Sequence, residues 1–272
     1  MNDARADAHP LDRVIGTSDV DVDTVRAATD PAFANMVGPY GGATAATVVA
    51  AIERDQRVHG RPVALTLNYA APVADGSYEL HRTPVRTNNS NQHWTCTVEQ
   101  NGSTVLTGSA LTAVERGGWT DLEVTGPVAP APAEVPVAKP VRGLAWLDNY
   151  EMRFVTGAFP VDGAEASPDS TTTVWVRHAR PRGWDYPALA SACDIFGPRI
   201  FNRLGRAVPA GTVTLTSYFH AGPDVLAEQG EYLLCTVRAT QFFSGLADQR
   251  AQIWGADGSL LATTTQLCYY KA

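Results

Sequence analysis

Val63 to Pro72 reads VALTLNYAAP, and Val213 to Pro223 reads VTLTSYFHAGP. Both are β-branched and aromatic runs that end in small residues and a proline, the composition of a strand leaving a sheet. Their likeness is not isolated. SYELHRTPVRT (Ser77 to Thr87) follows the first and EYLLCTVRA (Glu231 to Ala239) follows the second. VEQNGSTVLTGSALTAV (Val98 to Val114) then matches IWGADGSLLATTTQLCYY (Ile253 to Tyr270), with Asn101-Gly102 and Asp257-Gly258 as hairpin turns expected to supply positive φ. Three features in one order, twice, mark a tandem duplication.

Between the copies, Pro127 to Lys139 reads PVAPAPAEVPVAK. Recurrent proline among small residues favours an extended, semi-rigid connection over a packed element. The expected division is an N-terminal unit over 1–118, a Pro-rich linker over 119–146 and a C-terminal unit over 147–272. Each copy has a helix before its strands. GGATAATVVAAIERDQ (Gly41 to Gln56) sets Ala45, Val48, Val49 and Ile52 on one face; YPALASACDIFGPRIFNRL (Tyr186 to Leu204) sets Leu189, Cys193, Phe196 and Ile200 on one face. Both helices are largely apolar, as expected of a helix enclosed by a curved antiparallel sheet, so the fold class is α+β.

The bulk properties narrow the function. The chain has 272 residues, 44% hydrophobic and 18% charged, enough for one large or two modest domains. A net charge of −7 excludes a uniformly basic nucleic-acid surface but leaves room for a local cluster of arginines. No stretch is apolar for long enough to span a bilayer, and the first residues, MNDARADAHPLDRV, lack the apolar core of a secretion signal. Cys96, Cys193, Cys235 and Cys268 have no paired spacing, so free thiols in a reducing, cytoplasmic compartment are expected, with no zinc site. No Gly-x-Ser-x-Gly elbow is present, and none of the six histidines has metal-ligand spacing.

Motif order over nearly the whole chain resembles the acyl-CoA thioesterase II family, two fused hotdog units. The matching pieces are Gly41-Gly42, YAAPVADGSYEL (Tyr69 to Leu80), WVR (Trp175 to Arg177), the Asp of the second helix segment, TVTLTSYFH (Thr212 to His220) and DGSLLATTTQ (Asp257 to Gln266). The resemblance implies a double hotdog, each central helix wrapped by an antiparallel sheet, with the sheets joined. It also implies hydrolysis of an acyl-CoA thioester without a cofactor, by water held between Asp194, Thr212 and Gln266. The chain departs from the family at AGPDVLAEQGEY (Ala221 to Tyr232), which lacks the frequent Pro and Trp; that bears on acyl-chain preference.

Read without the family, these residues differ in weight. On a helix, Asp194 would have Ala190, Ser191, Gly197 and Pro198 as same-face neighbours, none a cation, with Pro198 kinking the helix. An Asp so placed is either solvated or held in an apolar setting where its pKa rises toward that of a general base. Thr212, on a face with Thr214, Thr216 and Tyr218, reads equally well as an ordinary strand threonine. Gln266 is an amide among Ala262, Thr264 and Cys268. Aligning the copies puts Ala110 opposite Gln266 and Pro62 opposite Thr212, and the first helix has no carboxylate before Glu53, so the first copy lacks all three groups.

Gly41 and Gly42 open the first helix, where backbone N–H groups could stabilise an oxyanion; a tight flexible loop accounts for them equally well. Arg177, Arg180 and Arg182 in WVRHARPRGW could hold coenzyme A, although a solvated loop is the plainer reading. Two rival functions stand beside hydrolysis. A hotdog enoyl-CoA hydratase or dehydratase would resemble an Asp–His site, and no His adjoins Asp194. A non-catalytic acyl-ligand binding protein would keep only the cavity. Expected partners are an acyl-CoA, no nucleic acid and no membrane; a homo-oligomer is among the expectations because related fused units assemble further.

Overall fold

A computed structural model describes residues 7–141, 143–160 and 164–272. Among the described residues, twelve antiparallel strands form one continuous sheet: β1 (Ser18–Asp19), β2 (Thr24–Ala28), β3 (Arg61–Tyr69), β4 (Ser77–Thr87), β5 (Asn91–Gln100), β6 (Ser103–Ala113), β7 (Tyr150–Thr156), β8 (Thr172–His178), β9 (Ala210–Phe219), β10 (Leu233–Phe243), β11 (Leu246–Gly255) and β12 (Leu260–Tyr270). Their spatial order is β1-β2-β4-β5-β6-β3-β9-β12-β11-β10-β8-β7. The two copies therefore meet at β3 and β9, the strands with the most similar sequences. Their register pairs Leu65 with Ser217, Thr66 with Thr216 and Leu67 with Leu215.

Alternation sets the inner face: Leu65 and Leu67 on β3, Trp94, Cys96 and Val98 on β5, Leu215, Ser217 and Phe219 on β9, and Ala262, Thr264, Gln266 and Cys268 on β12 are buried. Against that face lie α2 (Gly41–Glu53) and α3 (Tyr186–Ala192), which pack on each other. Every residue of α2 from Gly42 to Ile52 is buried, which explains its sequence: Ala and Gly let the neighbouring backbone approach, and no polar stripe is needed. Among the described residues there are also three short α-helices: α1 (Pro10–Val14), α4 (Ile200–Leu204) and α5 (Pro223–Ala227). None of the described helices is long and apolar enough to cross a membrane.

Three local expectations are corrected. The second helix does not run from Tyr186 to Leu204: it stops at Ala192, turns through Cys193 and Asp194, and resumes at Ile200. Pro198 cannot donate to residue 194 and its ring would clash with that carbonyl, while Gly197 favours a break. The two hairpins also differ. Asn101 and Gly102 both have positive φ (52° and 74°) in a two-residue turn, whereas in the longer second loop only Gly258 does (88°). Asp257 there accepts from the Ser259 N–H at 3.0 Å instead. Finally, the Pro-rich segment is irregular but packed. Val135 joins Trp175, Leu234 and Trp254 in a small apolar cluster, Trp175 Nε1 donates to the Pro130 carbonyl at 2.9 Å, and the Ala138 N–H donates to Met152 O at 2.7 Å, beside edge strand β7.

Candidate active site

Asp194 follows the last turn of α3, its N–H donating to Ser191 O at 3.1 Å. The break in the helix moves its carboxyl out of the α3 axis and against the start of α2. A Cβ added to Gly41 would stand 2.8 Å from Asp194 Oδ2, and one added to Gly42 would stand 2.6 Å from Ser191 O. These glycines are thus demanded by packing: they let the end of one helix touch the beginning of the other.

Gln266, 2% exposed on β12, donates from Nε2 to Asp194 Oδ1 at 2.5 Å. Thr212 reaches the same carboxyl because of a β-bulge. Leu267 pairs with Thr214 but Cys268 pairs with Thr212, so Val213 is the extra residue. By strict alternation Thr212 would share the outer face with Thr214, Thr216 and Tyr218; the bulge turns it to the inner side, opposite Cys268. Its hydroxyl lies 4.0 Å from Cys268 Sγ and near enough to Asp194 to favour the anion. The first copy has a bulge at the equivalent Val63, where Pro62 pairs with Thr112 and Ala64 with Leu111. Ala110 pairs with Leu65 there, as Gln266 pairs with Leu215. The scaffold is repeated, while the carboxamide and hydroxyl are not.

Burial of Asp194, 8% exposed, pushes its carboxyl up to about 7; Gln266, the Gly42 N–H and the Thr212 hydroxyl act in the opposite direction. The result is a carboxyl poised between acid and base near neutrality. Its other neighbours do not compete for protons. Burial raises the Tyr40 and Tyr69 phenols above their usual range and holds the Cys193 and Cys268 thiols up at about 12. The Gly42 N–H faces the carboxyl, which leaves the Gly41 N–H as the helix-opening donor without an intrahelical acceptor.

Three contributors escaped the sequence reading. Tyr69 donates to the Gly41 carbonyl at 2.9 Å and Tyr40 to the Ser191 carbonyl at 2.5 Å, fixing the two helix ends. Gln249 on β11 donates to Gln266 Oε1 at 2.5 Å. Its signal was available: it interrupts the buried alternation Ala247, Ala251, Ile253.

The three arginines do not converge on this site. Arg177 is bound to Glu151 and Glu231 (2.8 and 3.0 Å) and lies over the Tyr232 ring; Arg182 is bound to Asp12 and Asp185 (3.0 and 2.6 Å); Arg180 donates to the Asp7 and Ala8 carbonyls. The charges of Arg177 and Arg182 are paired with carboxylates, whereas Arg180 is exposed and meets backbone carbonyls. Two surface hollows, of about 490 and 560 Å3, are lined in one case by Arg13, Arg26 and Ser77 and in the other by Gly157, Asp169 and Asn202. Neither is lined by Asp194, Thr212 or Gln266.

Comparison with known proteins agrees with this architecture. The chain is similar over 97% of its length, at 40% identity and a TM-score of 0.92, to 99% of a conserved protein of unknown function with a hot dog fold from Alicyclobacillus acidocaldarius. It is similar in fold to a putative thioesterase II from Thermobifida fusca (18% identity, TM-score 0.84, 98% and 99% of the two chains). An acyl-CoA thioesterase II from Mycobacterium marinum also shares the fold (16%, 0.76, 96% and 98%). No curated protein matches the chain. Residues 30–113 match the model of the acyl-CoA thioesterase N-terminal domain and residues 125–270 that of the C-terminal domain. With both halves of the family present in order on a double-hotdog fold, the chain belongs to the acyl-CoA thioesterase family.

Proposed function

We propose that the protein hydrolyses acyl-CoA thioesters, with Asp194 as general base for water. The carrying observation is a buried carboxyl pushed up to about 7 yet held by an amide donor, since a base is most useful when its pKa lies near the working pH. Asp194 accepts a proton as the water oxygen bonds to the thioester carbonyl carbon. Thr212 and Gln266 orient the water and the carboxyl, and the Gly41 N–H donates to the oxyanion, supported by the positive end of α2. When the intermediate collapses, the C–S bond breaks and the proton on Asp194 passes to the departing thiolate, giving free acid and CoA. Membership of the thioesterase family supports this reading.

The test is a thiol-release assay over a series of acyl-CoA chain lengths. Turnover by the native chain and a loss of at least about 100-fold in Asp194→Ala are expected, the lower end of what general-base assistance contributes. Near-normal turnover in that variant would reject Asp194 as the base.

A further inference from the structure

A carboxamide can offer a neighbour either its oxygen or its NH2. Gln266 alone therefore does not settle whether Asp194 meets a donor, which favours the carboxylate, or an acceptor, which favours the acid. Gln249 settles it. It is 2% exposed and directly opposite Gln266 in the β11–β12 ladder. The backbone N–H of Arg199 donates to Gln249 Oε1 at 3.2 Å, Gln249 Nε2 donates to Gln266 Oε1 at 2.5 Å, and Gln266 Nε2 donates to Asp194 Oδ1 at 2.5 Å. The first donor is a backbone amide, which cannot turn over to become an acceptor. The direction of every later bond follows from it.

We propose that Gln249 is a positioning residue: anchored by the Arg199 N–H, it fixes the Gln266 amide so that Asp194 faces a donor. The inference rests on the reading of Asp194 as the base. Arg199 is itself fixed, 1% exposed, its guanidinium donating to the Gly197 and Ser170 carbonyls and to Thr172. Other groups around Asp194 are Tyr40 ahead of α2, Tyr69 on β3, Tyr150 on β7, Cys193 beside it, and Thr212 and Cys268 on β9 and β12. The phenols and thiols are all held above their ordinary values, so they stay neutral where Asp194 titrates. A changed midpoint on altering Gln249 thus reports the polarity of the amide.

The test reads the Asp194 carboxyl by difference infrared spectroscopy against pH, without substrate, beside the pH profile of thiol release. In Gln249→Met, which has no donor and no charge, Gln266 is free to turn its oxygen toward Asp194. The midpoint is expected to rise by a pH unit or more from its native value. The acid limb of kcat should move with it, and activity should recover at high pH with KM unchanged. Gln249→Leu, which likewise has no donor and no charge, should move the midpoint in the same direction. An unmoved midpoint in either folded variant, or a loss of kcat that high pH does not recover, overturns the proposal. Absence of acyl-CoA turnover in the native chain would instead reject the thioesterase reading, leaving the infrared midpoint to decide the role of Gln249.

Discussion

Thr66 and Thr216 occupy the same position of the repeat and face each other across the seam between the two copies, their hydroxyl oxygens 3.2 Å apart. The local two-fold of the duplication therefore passes between them. Gly41, Gly42 and Tyr69 come to the site from one copy, and Asp194, Thr212 and Gln266 from the other, so neither copy holds a complete site. One apolar core includes Leu65 and Trp94 of the first copy and Leu215 and Ile253 of the second. Calorimetry is expected to record one unfolding transition; two separate transitions would contradict the shared core.

Asp194→Asn should be more stable than the parent at pH 8, with the difference vanishing toward pH 4. The carboxyl sits at about 7 in the folded chain against 3.8 ordinarily. Folding thus favours the protonated form: the contribution is present below about pH 4 and is lost as pH rises through 7. Three pH units correspond to about 4 kcal/mol as an upper bound, at about 1.4 kcal/mol per unit. Thermal melts of both proteins across pH 4–8 would measure it.

Turnover by the native chain should climb with pH through about 7 and then level, because only the ionised Asp194 accepts the proton from water. A kcat/KM profile flat from pH 5 to 8 would contradict this.

Gly41→Ala should impair turnover more than stability, since the added Cβ would lie 2.8 Å from Asp194 Oδ2 and 3.3 Å from the Tyr69 ring. Gly42→Ala should be the more destabilising, by roughly 1–3 kcal/mol, because its Cβ would lie 2.6 Å from the Ser191 backbone oxygen at the contact of two helices. Denaturant titration and thiol release, compared for the pair, separate the two effects.

His178 should set part of the acid lability. It is 3% exposed, enclosed by His9, Tyr150 and Trp184, and burial pushes its imidazole down to about 3. The unfolded chain binds a proton near pH 6.5 that the folded chain refuses, so its contribution is intact above 6.5 and is lost as pH falls toward 3. His178→Phe should flatten the decline in Tm between pH 6.5 and 4; an unchanged decline would assign it to other groups.

What could be read along the chain was whatever repeats or alternates. Val63 and Val213 announced the duplication, Ala110 opposite Gln266 announced the loss of a polar group in one copy, and the small apolar residues of Gly41 to Glu53 announced a helix enclosed on all sides. These are local patterns, and burial imposes them directly on residue choice. Thr212 and Gln249 belong to another order of information. A single bulged residue, Val213, decides which face Thr212 takes, and the direction of the Gln249 amide depends on the Arg199 N–H, 50 residues away in the chain. A kink at Pro198 could be anticipated, but that the helix stops at Ala192, and where this leaves the Asp194 carboxyl, depended on how closely α3 approaches α2. Face, direction and approach are properties of pairing between distant segments, and only the tertiary structure brings those segments together.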